Sequence, residues 1–281
     1  MTQHSTRYAF GNSEPAALTQ LTAIQYYLDD LTRRRIRELD PPTDGLCWEI
    51  GAGAGSIAAW LAGEVVPDGR VIATDIDISR LTPGRNLDVY RSDVTSDAPP
   101  GGPFDLIHAR LLTQHLAARR DLLPALACAL KPGGWLLLGE FDCRVPPRVI
   151  SAPTDADLEL FDRFLRSLLG VLTAKGVDMA WAAHVHQAMA SAGLTAVHSL
   201  TYAESWTGGE AGCRLYEANS IQQEEGLLRA GLTAAELNRV RELTRDRALT
   251  ATSYPVVSVR GQRAPSLHLV EPDLAASGDQ P

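Results

Sequence analysis

A short apolar segment that runs directly into a glycine-rich loop is the strongest constraint on the fold of this chain. Leu46–Ile50 has the character of a buried strand, and Gly51, Gly53 and Gly55 follow at alternate positions before a helical pattern starts at Ile57. Glycine permits a tight turn and leaves room for a ligand beside the backbone. A helix that begins after such a turn points free N–H groups towards an anionic group. The segment predicts a small-ligand site at a strand end.

Further apolar runs alternate with helical stretches, which predicts βαβ units, a parallel sheet and an α/β fold. The predicted strands after the first one are Val71–Asp75, Leu87–Tyr90, Phe104–His108, Trp135–Phe141 and, further along the chain, about Thr195–Tyr202 and Tyr254–Arg260. We expect helices on both faces of this sheet, because a parallel sheet is covered by its crossover connections.

Helical segments precede the sheet and interrupt it. Apolar residues from Leu18 to Leu39 recur at helical spacing and predict one amphipathic helix that stops near Asp40, before two prolines. We divide the chain into an N-terminal helical cap (1–40), a core (41–263) with pocket-forming helical insertions at about 151–177 and 208–246, and a loose tail (264–281). Within the second insertion, Thr233 and Glu236 have the spacing of a capping box.

Composition excludes some classes of partner. The 26 Lys and Arg residues against 34 Asp and Glu residues give a net charge of -8, which argues against nucleic acid as a general partner. No run of 18 apolar residues occurs, so we expect no membrane span. The four cysteines form no C-x-x-C pair, and the N-terminal residues lack the pattern of a secretion signal, so a cytoplasmic protein is expected.

The glycine loop alone does not identify its ligand, because G-x-G motifs occur in dinucleotide sites and in others. The dinucleotide pattern requires Gly or Ala where this chain has Ser56. Glu49 lies two residues before the first glycine, where its carboxylate would repel a pyrophosphate and attract a cationic group. The loop therefore favours a ligand that carries positive charge.

Two more carboxylates follow neighbouring strands. Asp75 closes the second strand, where it can accept both hydroxyls of a ribose, and Asp93 follows the third strand, where it can accept from an adenine amino group. Together with Glu49 they lie at the carboxyl edge of the sheet, the place where doubly wound folds bind ligands. This arrangement predicts an acidic, nucleoside-shaped pocket.

The ordered set of these motifs resembles the class I S-adenosylmethionine-dependent methyltransferases, of the bacterial type that modifies small molecules and natural products. The resemblance extends from about Tyr8 to Arg263 and includes Phe104–Arg110 and Leu130–Gly134. It implies S-adenosylmethionine as the cofactor. It also implies a Rossmann-like sheet of seven mostly parallel strands, of which the last runs antiparallel.

The resemblance also implies roles for individual residues. Gly51 and Gly53, in the motif that spans Glu49 to Gly55, would pass under the methionine part of the cofactor. Around the nucleoside, Asp75 would bind the ribose, Ile76 would pack on adenine, and Asp93, with Val94 beside it, would hold the adenine amino group. Ala109 and Arg110 would border the sulfonium, and Tyr8, with the helix containing Gln25, would close over the cofactor.

Methylation of a hydroxyl requires removal of its proton, and histidine is the usual base. His108 and His115 are the histidines nearest to the active edge. We favour His115, which we place at the start of the next helix and beyond the cofactor contact; the alternative is a histidine that shapes the pocket wall. Relatives that bind magnesium use a Glu-His pair where this chain has Gln114, so no metal is expected.

Three other features have two interpretations each. Glu140 and Asp142 either contact the substrate or form a solvated pair. The run Arg33–Arg37 either binds an anion or forms a solvated helix face, which we favour. Trp206 either stacks on a substrate or packs beneath the insertion.

The sequence therefore predicts a methyltransferase that acts on a small-molecule acceptor, with a secondary metabolite and O-methylation favoured over C- or N-methylation. The alternatives are a nicotinamide-dependent oxidoreductase and a protein that binds S-adenosylmethionine without methylating. A homodimer is left open.

Overall fold

The computed structural model describes residues 15–144 and 146–265. Its strands, in chain order, are β1 (Leu46–Ile50), β2 (Arg70–Asp75), β3 (Leu87–Arg91), β4 (Phe104–Arg110), β5 (Leu130–Phe141), β6 (Val149–Ser151), β7 (Thr195–Tyr202), β8 (Ser205–Thr207), β9 (Thr250–Thr252) and β10 (Val256–Gln262). Tyr8 and residues 266–281 of the predicted tail lie outside the described residues.

The helices are α1 (Pro15–Arg37), α2 (Ser56–Trp60), α3 (Arg119–Ala129), α4 (Asp155–Ala174), α5 (Trp181–Ser191), α6 (Ala211–Gln222), α7 (Glu224–Arg229) and α8 (Ala234–Leu243). One π-helical turn (Leu61–Val65) continues α2, and one 3-10 turn (Thr113–His115) follows β4. No helix in the described part of the chain combines the length and the apolar character needed to span a bilayer.

Seven strands form the central sheet in the order β3-β2-β1-β4-β5-β10-β7. β10 runs antiparallel to both of its neighbours, whereas β1 to β5 pair in parallel. The predicted fold class, a Rossmann-like sheet with an antiparallel last strand, is confirmed. Because the first five strands are parallel, their carboxyl ends share one edge, and the residues that follow them meet there.

Strand β1 crosses the middle of the sheet. From Cys47 to Ile50 every side chain is buried, as expected for a strand covered on both faces. Its register places Glu49 opposite Ala73 of β2 and opposite His108 of β4. The one acidic residue of this strand therefore lies inside the sheet, beside a histidine.

The helical insertions share one core with the N-terminal helix. Leu28 of α1, Phe161 and Leu168 of α4, Tyr216 of α6 and Val240 of α8 are all fully buried in the same cluster. This shared core holds α1 against the insertions and beside the carboxyl edge of the sheet. The division into cap, core and insertions remains a prediction, with α4 in the first predicted insertion and α6 to α8 in the second.

Two local predictions have opposite outcomes, and one small sheet was not predicted. The capping box is confirmed, since the Thr233 hydroxyl accepts from the Glu236 N–H and the Glu236 carboxylate accepts from the Thr233 N–H. The helix start proposed at His115 is wrong, because this residue ends a 3-10 turn and α3 begins at Arg119. The small sheet β6-β9-β8 was not predicted, because three-residue strands are too short to show alternation.

Candidate functional site

A cavity opens at the carboxyl edge of the central sheet, beside α1. Its walls come from the ends of β1 to β4, the loops that follow them, and α1. The lining residues are Leu21, Ile24, Gln25, Glu49, Ile50, Gly51, Ala52, Gly53, Ala54, Ser56, Ile57, Thr74, Asp75, Ile76, Ser92, Asp93, Val94, Thr95, Arg110, Leu111, Leu112, His115 and Leu116. Most of the predicted site residues therefore meet in one place.

The glycine loop forms the floor of this cavity. Its first turn is fixed to β2, since the N–H groups of Gly51 and Ala52 donate to the Thr74 carbonyl at 2.8 and 3.1 Å. Gly53 has a φ of +58°, and a Cβ there would lie 3.2 Å from Leu21. The backbone conformation and the close approach of α1 both favour glycine at this position.

Asp75 lies at the end of β2 and is buried, with 7% of its surface exposed. Its carboxylate accepts N–H hydrogen bonds from Gly53 at 2.9 Å and from Asp77 at 3.0 Å. Burial raises its pKa, and these hydrogen bonds oppose the rise. The bonds fix the carboxylate at the cavity wall and leave lone pairs for further donors.

Glu49 and His108 form a buried pair beneath the cavity. His108 Nδ1 lies 2.6 Å from Glu49 Oε2, and their side chains are 2% and 5% exposed. Glu49 also lines the cavity, whereas His108 does not. As a catalytic candidate, His108 is therefore disfavoured: its place within β4 turns it towards Glu49 and away from the cavity.

Arg110 ends β4 and reaches α1. Its Nη2 donates to Asp29 at 2.9 Å, and its Nη1 donates to Thr32 at 3.1 Å. The Ser56 hydroxyl at the start of α2 also donates to Asp29, at 3.2 Å. Asp29 therefore compensates the positive charge of Arg110 and ties α1 to two elements of the cavity wall.

His115 lines the cavity at the end of the 3-10 turn. Burial, reinforced by the positive charge of Arg119, lowers its pKa to about 4. The imidazole is therefore neutral at physiological pH, and it is able to accept a proton there. Leu111, Leu112 and Leu116 give this part of the wall an apolar character.

Comparison with known proteins assigns the chain to a family. A family model described as a methyltransferase domain matches residues 22–199. The chain belongs to this methyltransferase-domain family. The family assignment confirms the predicted enzyme class and, with it, S-adenosylmethionine as the cofactor.

Curated relatives match parts of the methyltransferase. Methyltransferase str3 of Strobilurus tenacellus is 34% identical over 96 residues, which is 34% of this chain and 34% of that protein. The ubiquinone/menaquinone biosynthesis C-methyltransferase UbiE of Neisseria meningitidis is 28% identical over 138 residues, which is 46% of this chain and 54% of UbiE. The matched part of the chain thus spans between a third and about half the length of these relatives.

Solved structures share the fold. Phosphoethanolamine N-methyltransferase 2 of Haemonchus contortus, in complex with phosphomonomethylethanolamine and S-adenosylhomocysteine, matches with a TM-score of 0.54 and 12% identity, over 90% of this chain and 58% of that chain. The YcgJ protein of Bacillus subtilis matches with a TM-score of 0.52 and 17% identity, over 85% of this chain and 100% of that chain.

The residues of the cavity fit S-adenosylmethionine. A Cβ at Gly51 would lie 3.2 Å from Leu112, so the glycine loop leaves a channel that side chains would narrow. The carboxylate of Asp75 suits a ribose diol, and Ile76 presents an apolar side chain, 47% exposed, at the opening. The Asp93 carboxylate accepts from the Thr95 N–H and hydroxyl at 2.9 and 2.6 Å, which orients it at the rim.

Two predicted cofactor residues, Ala109 and Gly55, do not line the cavity, and a third, Tyr8, lies outside the described residues. Ala109 is buried inside β4. Gly55, with a φ of +81°, is the residue directly before α2 and is not among the residues that line the cavity. Tyr8 belongs to the segment that the structure does not describe.

Glu140 and Asp142 neither line the cavity together nor form a solvated pair, the two alternatives that the sequence left open. Glu140 is fully buried and absent from the cavity wall, while Asp142 accepts from Arg144 at 2.8 Å. They differ because Glu140 lies within β5, whose last six residues are all buried, whereas Asp142 follows the end of that strand.

The other ambiguous features are resolved by burial. Trp206 is 2% exposed and makes an edge contact with Tyr216 of α6, so it packs beneath the insertion. Three arginines of the run form ion pairs near the end of α1: Arg33 with Asp29, Arg35 with Glu38 and Arg37 with Glu64. Arg35 is itself buried, so the run is not solvated along its whole length. Groups of three or more residues suited to a metal ion are absent from the described residues.

Sequence reasoning missed Asp29 and Thr113. Asp29 is bound to Arg110 across 81 positions, and Thr113 is bound to Glu140 across 27 positions. The available signal for Asp29 was its spacing of four from Arg33, which indicates only a helical ion pair.

Proposed function

We propose that the methyltransferase transfers a methyl group to an acidic hydroxyl of a small-molecule acceptor, of the phenol or enol type found among secondary metabolites. The observation that carries the proposal is the neutral imidazole of His115 at an otherwise apolar part of the cavity wall. This part of the wall suits an uncharged acceptor, because a buried ion without a partner is costly.

Charge distribution supports the proposed cofactor contacts. Glu49 would bind the positive groups of the methionine part, Asp75 the ribose hydroxyls, and Asp93 the adenine amino group. Ile76 and Val94 would pack on the ring. The assignments come from the resemblance, and the fact that all five residues line one cavity supports them.

The resemblance puts Arg110 near the sulfonium of the cofactor, where two positive charges would repel each other. Its guanidinium is paired with Asp29 at 2.9 Å, so the pair presents little net charge. We propose that Asp29 makes this position tolerable for the sulfonium.

When bound, S-adenosylmethionine supplies an electrophilic methyl group. The acceptor oxygen forms the new carbon–oxygen bond as the carbon–sulfur bond breaks, the hydroxyl proton passes to His115, and S-adenosylhomocysteine is the second product. The apolar wall excludes water from this step and holds the acceptor in line. A base with a pKa of about 4 is weak, so it suits an acceptor whose hydroxyl is itself acidic.

C-methylation of the same acceptor class is the second candidate. The similarity to UbiE, which is named as a C-methyltransferase, favours it. In a phenol or enol the carbon next to the hydroxyl-bearing carbon is also nucleophilic once the proton leaves, and His115 would take that proton in either case. The predicted cytoplasmic location and the homodimer remain proposals.

The decisive experiment incubates the protein with methyl-labelled S-adenosylmethionine and a panel of phenols, enols, aliphatic alcohols and amines. Release of S-adenosylhomocysteine identifies an acceptor, and NMR of the product locates the label. We expect a label on oxygen with phenols or enols. A label on carbon supports the second candidate, a label only on nitrogen contradicts both, and tight cofactor binding without turnover on any acceptor favours a non-methylating protein.

A further inference from the structure

A buried carboxyl group lies behind the cavity wall without touching the cavity. Glu140, near the end of β5, is 0% exposed. Its Oε1 accepts the Thr113 N–H at 2.7 Å and also the Thr113 hydroxyl. The Trp181 indole N–H in turn donates to the Thr113 hydroxyl oxygen at 2.6 Å. Glu140, Thr113 and Trp181 form one chain of hydrogen bonds that joins β5, the 3-10 turn and α5.

The carbonyl groups of the same 3-10 turn accept hydrogen bonds from residues on its other side. Arg119 Nε donates to the Thr113 carbonyl at 3.1 Å, and the Asp178 N–H donates to the Gln114 carbonyl at 2.9 Å. Arg119 also pairs with Asp178 at 3.0 Å. The turn is therefore fixed at N–H, hydroxyl and carbonyl groups, although it is only three residues long.

Both ends of this turn reach the cavity. Leu112, directly before it, is the side chain that lies against Gly51 of the glycine loop. His115 ends it, and Leu116 follows. A movement of Thr113 would thus displace a cofactor-side residue and the proposed base together.

We propose that Glu140 is a positioning residue that acts through Thr113 to fix the turn presenting Leu112 and His115 to the cavity. The inference rests on the proposed function, because the turn matters for catalysis only if His115 and the cofactor meet there. Its structural part depends on the hydrogen bonds alone and is testable without an acceptor.

Burial gives this network a titratable centre. It raises the pKa of Glu140 to about 7, and the hydrogen bonds from Thr113 oppose the rise. The ionisable groups around it are Cys143, whose pKa Glu140 helps to raise, and Arg119, Asp178 and His115 around the turn. Burial raises the pKa of Cys143 to about 12 and lowers that of His115 to about 4, so a change of the network near pH 7 reports on Glu140.

The first experiment follows the Trp181 indole N–H signal by two-dimensional proton–nitrogen NMR, with assignment by Trp181→Phe. We expect the signal to move with a midpoint near pH 7 in the wild type, since its acceptor hydroxyl donates to Glu140. Glu140→Gln should abolish the movement, and Glu159→Gln, at an exposed position on α4, should retain it. A signal that does not titrate, or that titrates in Glu140→Gln, would overturn the inference.

The second experiment compares Thr113→Val with Thr113→Ser. The first removes the hydroxyl at nearly constant shape, and the second keeps it. In Thr113→Val we expect the NMR titration midpoint of His115 to rise from about 4 towards 6.5, and S-adenosylhomocysteine to bind about tenfold more weakly in calorimetry. Thr113→Ser should restore both values.

The outcomes separate the two proposals. If Thr113→Val leaves the His115 midpoint and S-adenosylhomocysteine affinity at wild-type values, the positioning role is wrong. If the wild-type protein binds no S-adenosylhomocysteine, the proposed function fails, while the Trp181 and His115 signals still decide the positioning role.

Discussion

His108 and Glu49 face each other across β4 and β1 with 2.6 Å between imidazole Nδ1 and carboxylate Oε2, both inside the sheet. One carboxylate oxygen of Glu49 is thus bound by the protein, while the residue also lines the cavity. A partner of this kind keeps a buried carboxylate oriented and compensates part of its loss of hydration.

Removal of the histidine should therefore leave a buried carboxylate without this partner. We expect His108→Leu to lower the free energy of unfolding by about 3 kcal/mol, as for a broken buried pair. Urea unfolding at pH 7 measures the loss. His186→Leu, which removes an exposed histidine bound to Ser199, is the control and should cost much less. The double variant Glu49→Gln/His108→Leu should cost less than the sum of the single changes; additive costs would show that the pair is not coupled.

Asp75 should contribute directly to cofactor affinity. Asp75→Asn replaces an acceptor by an amide that cannot accept from both Gly53 and a ribose diol. We expect S-adenosylhomocysteine binding to weaken by about 1–3 kcal/mol in calorimetry. Asp77→Asn changes a neighbouring carboxylate outside the cavity wall and should leave the affinity nearly constant. Equal affinities for Asp75→Asn and the wild type would remove Asp75 from the binding site.

The glycine loop offers a test of the backbone argument. Gly53→Ala forces a Cβ onto a residue with a φ of +58° and places it 3.2 Å from Leu21. We expect a loss of about 1 kcal/mol in stability and weaker S-adenosylhomocysteine binding. In contrast, Gly63→Ala adds a Cβ with no atom within 4 Å and should not reduce either quantity. The idea fails if the two variants behave alike.

Local patterns predicted most of what is local in this fold. The strand Leu46–Ile50 agrees with the prediction at both ends, and the glycine loop and Asp75 lie at the cavity as their positions after strands required. Such features depend on residues that are close in sequence, and the apolar pattern of a strand and the spacing of glycines are visible there.

The contacts that shape the site chemically are long-range, and the sequence could not supply them. Nothing in the pattern around Asp29 indicates that it meets Arg110, and nothing around Glu140 indicates that Thr113 binds it. The sequence favoured His115 over His108 only from its place along the chain, whereas the contact of His108 with Glu49 follows from strand register. The side that a polar residue faces depends on packing that a single sequence does not display.

Opposed titrations of Glu140 and His115 should shape the pH dependence of stability. Burial raises the pKa of Glu140 from 4.5 to about 7, so between these values the folded state keeps a proton that the unfolded state has lost, and stability falls as pH rises. The pKa of His115 is lowered from 6.5 to about 4, so between those values only the unfolded state is protonated, and stability rises with pH. Each contribution amounts to about 3 kcal/mol.

Because the windows overlap, the two effects should nearly cancel between pH 4.5 and 6.5. Glu140→Gln removes one of them, and the free energy of unfolding relative to the wild type should then rise with pH up to about 7. His115→Gln should produce the opposite slope between about pH 4 and 6.5. Urea unfolding at intervals across this range measures both, with Glu159→Gln expected to parallel the wild type. If the difference between Glu140→Gln and the wild type is independent of pH, Glu140 does not titrate in the folded protein near neutrality.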